Sequence, residues 1–254
     1  MISVAPHHED SIGSAAASTP PLSAAISVKE GYRRWASSYD RCHNPLLALE
    51  ERMIGPTIPD LAGKQALDIA CGTGRWMPML AARGAAQVIG VDLSQPMLQV
   101  ARGKARFKPA LVQADCTSIP LKEARIDFAM CSFAVSHVGD LGRFAAECCR
   151  VLKPGAELIV TDLHPDAHNA GWRTGFRDRH GRAEIESIAR PSTDIVDEFC
   201  SYGFSCLEAC GFHLGEPERT IFEAAGKPEF FAIACKVKAV WFCRFCKLQC
   251  KSSS

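Results

Sequence analysis

The stretch QALDIACGTGR, from Gln65 to Arg75, constrains this chain more than any other. Residues 66–69 form an apolar run with the length of a buried parallel strand. Gly72 and Gly74 follow at once, and the next residues read as a helix. Strand, tight loop and helix succeed one another with almost no linker. Glycine suits the loop because the backbone must turn sharply and a ligand must come close, with no Cβ in the way. A dinucleotide fold would prefer G-x-G-x-x-G, whose amides and helix N-terminus cradle a pyrophosphate. Here the order is D-x-A-C-G-T-G with Asp68 leading, and Trp76 follows Arg75 without a third glycine.

Two more acidic residues stand at the ends of strand-like runs, Asp92 in QVIGVDLS and Asp115 in LVQADC. A carboxylate at a second strand tip, about 20 residues past a glycine loop, can accept hydrogen bonds from both hydroxyls of a ribose. Asp92 has an alternative role as a helix cap, although Ser94, ahead of Gln95 and Pro96, is better placed for it. An acid at the third tip can take the exocyclic amine of adenine, with the Cys116 amide donating to a ring nitrogen. Asp115 can also be an ordinary turn residue. Three acids at successive strand ends suggest a nucleoside-type ligand laid across the edge of a parallel sheet.

The rest of the chain fits that sheet. Strands are expected at 66–70, 87–91, 110–114, 127–132 and 157–163, with helices near 75–83, 95–103 and 141–152. Regular βα alternation implies a parallel sheet with helices on both faces. A further helix from Ser192 to about Tyr202 leads to strands at 205–212 and 229–236, a C-terminal antiparallel hairpin. Ahead of the sheet, VKEGYRRWASSYDR places Tyr32, Trp35 and Tyr39 on one helical face, and 46–58 reads as a second helix. Residues 1–27, rich in Ser, Ala and Pro, are expected to be a disordered leader. Residues 164–190 are polar and Gly-rich with no clear strand, the signature of a lid. A net charge of +1 over 254 residues points to no nucleic acid partner. No apolar run approaches the ~18 residues that span a bilayer. With no secretory signal pattern, the cytoplasm is the default location. The 13 cysteines read mostly as small buried hydrophobes. Oligomeric state is not written in the sequence.

ALDIACGTGRW, GVDLSQPML, QADCTSIPL and RVLKPGAELIV together resemble the class I S-adenosylmethionine (SAM) dependent methyltransferases. The resemblance covers roughly residues 30–237. It is to the small-molecule branch of methyltransferase type 11, which includes ubiquinone/menaquinone and malonyl-carrier-protein methyltransferases. It implies an α/β Rossmann-like sheet of seven strands, mostly parallel, with a C-terminal antiparallel hairpin. It implies SAM as cofactor, an acidic residue suiting its ammonium and sulfonium charges, and a small-molecule acceptor. By resemblance the cofactor contacts are Tyr39, Asp68, Ala70, Gly72, Gly74, Asp92, Leu93, Met97, Asp115, Cys116 and Ser132. YRRWASSYDR is similar to the branch's N-terminal segment, which folds over the cofactor. Tyr32, Trp35 and Tyr39 can equally staple a helix to the domain. Ala70 and Cys71 stand where many relatives have glycine.

Methyl transfer from a sulfonium is an in-line displacement that needs alignment and exclusion of water. A base is required only when the acceptor is protonated at neutral pH. His137 and His164 follow the fourth and fifth strands, at the sheet edge where open α/β folds bind ligands, and are the candidate bases. Asp162 and Asp166 read as turn or lid anchors. Arg173, Arg177, Arg179 and Arg182 either hold an anionic acceptor or are solvated charge. The tail 238–254 is expected to be an appendage whose removal leaves activity intact. Its Cys243, Cys246 and Cys250 supply three thiolates where closed zinc sites need four ligands, and no metal site is assigned. The competing readings are a nicotinamide-dependent dehydrogenase, disfavoured by the glycine pattern, and a noncatalytic scaffold of the same fold, disfavoured by the intact acidic tips.

Overall fold

The computed structural model describes residues 25–41, 44–104 and 108–249. The leader reading for 1–24 and the Cys250 position lie outside these residues. Among them, seven strands form one sheet: β1 (Gln65–Ile69), β2 (Gln87–Asp92), β3 (Ala110–Gln113), β4 (Ile126–Ser132), β5 (Leu152–Leu163), β8 (Phe204–His213) and β9 (Lys238–Lys247). Their order is β3-β2-β1-β4-β5-β9-β8. The first five are parallel, while β9 runs antiparallel to both β5 and β8. The order reverses at β1, so the carboxyl ends of β1 and β4 diverge and leave a crevice. The remaining strands, β6 (Gly175–Asp178) and β7 (Gly181–Glu184), form a separate antiparallel hairpin.

The helices are α1 (Val28–Trp35), α2 (Pro45–Ile54), α3 (Met77–Ala82), α4 (Gln95–Lys104), α5 (Leu141–Val151), α6 (Pro165–Asn169), α7 (Ser192–Ser201), α8 (Glu216–Ala224) and α9 (Phe231–Ala234). The pleat sorts side chains to two faces. Leu67, Ile69, Val91, Val160, Cys243 and Phe245 pack with Phe144 of α5 and Phe199 of α7. Ala66, Val88, Phe128, Ile159 and Phe242 pack with Ile54, Leu80 and Leu98 from α2, α3 and α4.

Three expectations need correction. Residues 229–236 are not a strand: they run through a 3-10 turn that opens at Pro228, then α9, and end in a turn. EFFAIACK is an apolar run that fits either element, and the proline at the first turn selects the helix. The last strand of the sheet is instead β9, inside the segment expected to be an appendage. Val240, Trp241, Phe242, Cys243 and Phe245 are all buried there. A strand covered on both faces reads as a continuous apolar run, which AVWFC is. In β9, Cys243 and Cys246 are three residues apart and so lie on opposite faces. Among the described residues no group of His, Cys, Asp and Glu is gathered as for a metal ion. Finally, 164–190 is not structureless, since it holds α6 and the β6–β7 hairpin. No described helix is long and apolar enough to cross a membrane.

Candidate functional site

The crevice at the carboxyl edge of β1, β2, β3 and β4 holds a cavity of about 290 Å³. The turn after β1 is fixed by backbone: the Cys71 amide donates to Val91 at 3.0 Å, and the Gly74 amide to Cys71 at 2.8 Å. Gly72 and Gly74 adopt φ of +53° and +75°, the left-handed region glycine tolerates. A Cβ on Gly72 would meet no atom within 4 Å, so this side of the loop is open for a ligand. A Cβ on Gly74 would press on Ala101 and Met77 at 3.2 Å, so that glycine packs the loop against α4 and does not line the cavity. Ala70 also has positive φ, +54°.

The three acids sit as the strand ends dictate. Asp68 is 2 % exposed and borders the cavity, and its Oδ2 has no hydrogen-bond partner. Burial pushes its carboxyl up to about 8, with the Arg75 guanidinium opposing and Asp92 and Glu50 adding to the rise. Asp92 accepts the amides of Gly72 and Ser94, each at 2.7 Å. Burial raises its pKa and those two amides hold it down. Asp115 accepts the amide and hydroxyl of Thr117 through Oδ1. Tyr39, Ala70, Leu93, Met97, Cys116 and Ser132 line the same cavity. Burial lifts the Tyr39 phenol and the Cys116 thiol each to about 12, so both are neutral at physiological pH.

A buried network beneath the cavity is a feature the sequence reading missed. Glu50 of α2 is fully buried, yet it pairs with Arg75 and accepts hydrogen bonds from Ser132 at 2.7 Å and from Thr161. Arg75 also donates to Ser132 at 3.0 Å and lies over the Trp76 ring. The clue was present: Glu50 falls on the apolar stripe of Leu46, Leu49 and Ile54, and a charge on such a stripe needs a buried partner.

The two histidines separate. His137, in the turn after β4, lines the cavity. His164 does not. It caps α6, its Nδ1 accepting the Asp166 amide at 3.1 Å, and it is buried against Gly211 of β8. Burial lowers its pKa. As a strand-end cap held by its neighbours, it stands outside the cavity and cannot serve there as a base. Asp162 accepts the Ser136 amide at 2.7 Å and so anchors the turn that carries His137. Arg173 is turned onto the carbonyls of His168 and Trp172, and Arg177, Arg179 and Arg182 are exposed outside the cavity.

The cavity is roofed by α1, which the β6–β7 hairpin braces. Trp35 stacks on Phe176 of β6 with centroids 5.3 Å apart, and Arg34 pairs with Asp178 at 2.7 Å. Ile26 bridges to Ile185, and Thr73 of the glycine loop donates to Asp40 at 2.7 Å. Trp35 staples the roof, while Tyr32 and Tyr39 line the cavity.

Comparison with known proteins agrees with this architecture. Residues 67–160 match a family model described as a methyltransferase domain. A demethylmenaquinone methyltransferase of Tropheryma whipplei (strain Twist) is 32% identical over 148 residues, which are 54% of this chain and 60% of that protein. The chain thus spans about 60% of the length of that curated relative. A SAM-dependent methyltransferase from Mesorhizobium loti superposes with a TM-score of 0.64 at 20% identity, over 80% of this chain and 100% of its own. Phosphoethanolamine N-methyltransferase 2 of Haemonchus contortus, solved in complex with SAM, has a TM-score of 0.64 at 19% identity, over 89% of this chain and 61% of its own. At these identities the structural likeness shows the fold.

Proposed function

We propose that this chain is a class I SAM-dependent methyltransferase of the ubiquinone/menaquinone-methyltransferase-like branch, which binds SAM in the strand-tip cavity and transfers its methyl group to a small molecule. The observation that carries the reading is the unpartnered Oδ2 of Asp68, buried at the cavity wall. A buried carboxylate oxygen without a donor is costly unless a ligand supplies one. An ammonium group would. SAM also supplies, when bound, a methyl group activated by the sulfonium. Asp92 has both oxygens fixed by loop amides, with lone pairs left for a ribose diol. Asp115 and the Cys116 amide suit an adenine edge, and Leu93 and Met97 its apolar faces. Arg75 offers a cation for a ligand carboxylate, held in place by Glu50. The roof of α1 excludes water from the transfer.

Calorimetric titration with SAM and S-adenosylhomocysteine tests this directly, and the Asp68 carboxyl gives it a signature. Its value in the fold, about 8, lies above the ordinary ~3.9 of the unfolded chain, so the unliganded fold holds a proton at pH 7. The stability that proton confers is lost as pH rises through about 8. An ammonium ligand favours the carboxylate, so binding at pH 7 releases a proton. Affinity should tighten from about pH 6 to about pH 8, above which the ligand's own α-amino group deprotonates. Asp68→Asn should weaken binding ten- to hundredfold, as loss of a charged hydrogen bond of about 1.5–3 kcal/mol requires. It should also abolish the proton release. Binding with no proton release and no effect of Asp68→Asn would overturn the assignment of Asp68.

A further inference from the structure

Tyr32 of α1 and His137 of the turn after β4 both line the cavity. They are joined, Tyr32 Oη lying 3.0 Å from His137 Nε2. The rings meet edge to face, with centroids 5.4 Å apart. The other nitrogen of His137, Nδ1, is 2.8 Å from the backbone carbonyl of Glu186. A carbonyl only accepts, so Nδ1 carries the hydrogen of the neutral ring. Nε2 then holds a lone pair and accepts the Tyr32 hydroxyl. Carbonyl, imidazole and phenol form a directed chain that ends at Tyr32, a residue of the cavity lining. Val28, Ala134 and Val138 supply apolar walls beside it.

We propose that Tyr32 and His137 are a proton relay that ionises a methyl acceptor still protonated at neutral pH. This rests on the methyltransferase reading above. Tyr32 Oη takes the acceptor's proton as its own passes to His137 Nε2, so no free phenolate forms. That matters because burial pushes the Tyr32 phenol well above its usual value. The new imidazolium is held by the Glu186 carbonyl, and the Asp162 carboxylate interacts favourably with its charge. The ionised acceptor forms a bond to the methyl carbon, the carbon–sulfur bond breaks, and its electron pair stays on sulfur. The proton remains on His137 until water removes it. A carboxylate acceptor would need none of this, being ionised already. Other charged or titratable groups around the pair are Tyr39 and Asp92 on the cofactor side, Arg190 beside Asp162, and Lys29 on the same wall.

The test compares wild type, Tyr32→Phe and His137→Gln with 2-naphthol as probe, alongside SAM affinity and 15N NMR of the imidazoles in the protein alone. Glutamine still accepts from Tyr32 but cannot take the proton, so a merely structural histidine would tolerate it. The relay predicts an unprotonated Nε2 signal that shifts in Tyr32→Phe. It predicts that both variants lose at least about 100-fold in kcat near pH 7, within the usual worth of acid–base catalysis, with SAM affinity changed less than about twofold. The loss should shrink toward pH ~10, where a phenolic probe ionises unaided. Equal losses at every pH, a fully active His137→Gln, or a protonated Nε2 would overturn the relay. So would wild type that binds SAM yet leaves hydroxyaromatic and enol probes unmethylated. Failure of wild type to bind SAM would overturn the methyltransferase reading, and the relay with it.

Discussion

The two walls of the cavity are built by different means. The wall at the tips of β1, β2 and β3 is held by main chain. The ladder runs to its edge, where Ala114 donates to Asp92 at 3.1 Å, and the loop amides of Gly72 and Ser94 grip the Asp92 carboxylate. The roof is held mostly by side chains: the Trp35–Phe176 stack, the Arg34–Asp178 ion pair and the Thr73–Asp40 and Tyr32–His137 hydrogen bonds, beside a main-chain bridge at Ile26. A wall made by a sheet cannot open without unfolding the domain. One made by side chains from two short elements can open locally. That division suits a ligand that must be oriented tightly and a partner molecule that must enter and leave.

The largest expected effect breaks the sheet side of this contrast. Ending the chain before Lys238 removes β9 from between β5 and β8, along with the buried Trp241, Phe242 and Phe245. The product should show no cooperative thermal transition by circular dichroism. A truncated protein that melts as the whole one does would mean β9 is as dispensable as its sequence suggested.

Next is Glu50→Ala. It strands Arg75, whose side chain is only 22 % exposed, and leaves Ser132 and Thr161 without their acceptor. Removing one partner of a buried pair costs about 3 kcal/mol or more, to be read from urea denaturation. A change below about 0.5 kcal/mol would show that water replaces the carboxylate freely, and that the network does not brace the cavity floor.

Phe176→Ala tests the roof. Its ring is 3 % exposed, between Trp35 and the Arg34 guanidinium. Amides of α1 and of the β6–β7 hairpin should lose hydrogen-exchange protection, while those of β4, β5 and β9 keep theirs. A uniform loss across the sheet would show that roof and sheet are one cooperative unit, and would erase the contrast.

The same division governed what could be read from the sequence. Asp68, Asp92 and Asp115 were legible because a strand–loop–helix repeat leaves its carboxyl ends on one edge, whatever the side chains around them do. The roof was not. The Tyr32–His137 contact joins residues 105 positions apart, and the Arg34–Asp178 pair 144 apart. No local period records such meetings. His164 misled for a related reason. Its place after a strand put it at the correct edge, but local capping of α6 used its Nδ1 and turned the ring into the core under β8. In β9, a doubly buried strand lacks the alternation that would mark it, and 229–236 is an apolar run of strand length that nevertheless folds as helix and turn.

The smallest expected effect sharpens the account of the rigid wall. Ala70 follows β1 with φ of +54°, where its Cβ crowds the following carbonyl. An L-residue in that conformation costs about 1–2 kcal/mol, which glycine avoids. Glycine gives back about 0.4–1 kcal/mol through the greater freedom of the unfolded chain. Ala70→Gly should therefore raise the unfolding free energy by roughly 0.5–1 kcal/mol, the difference between those two contributions. SAM affinity is the more informative readout. Ala70 lines the cavity, so if its methyl group contacts the ligand, affinity falls even as the fold gains. If affinity is unchanged or improves, the alanine is only strained backbone, and the ligand is held by the loop's main chain and the acids beside it.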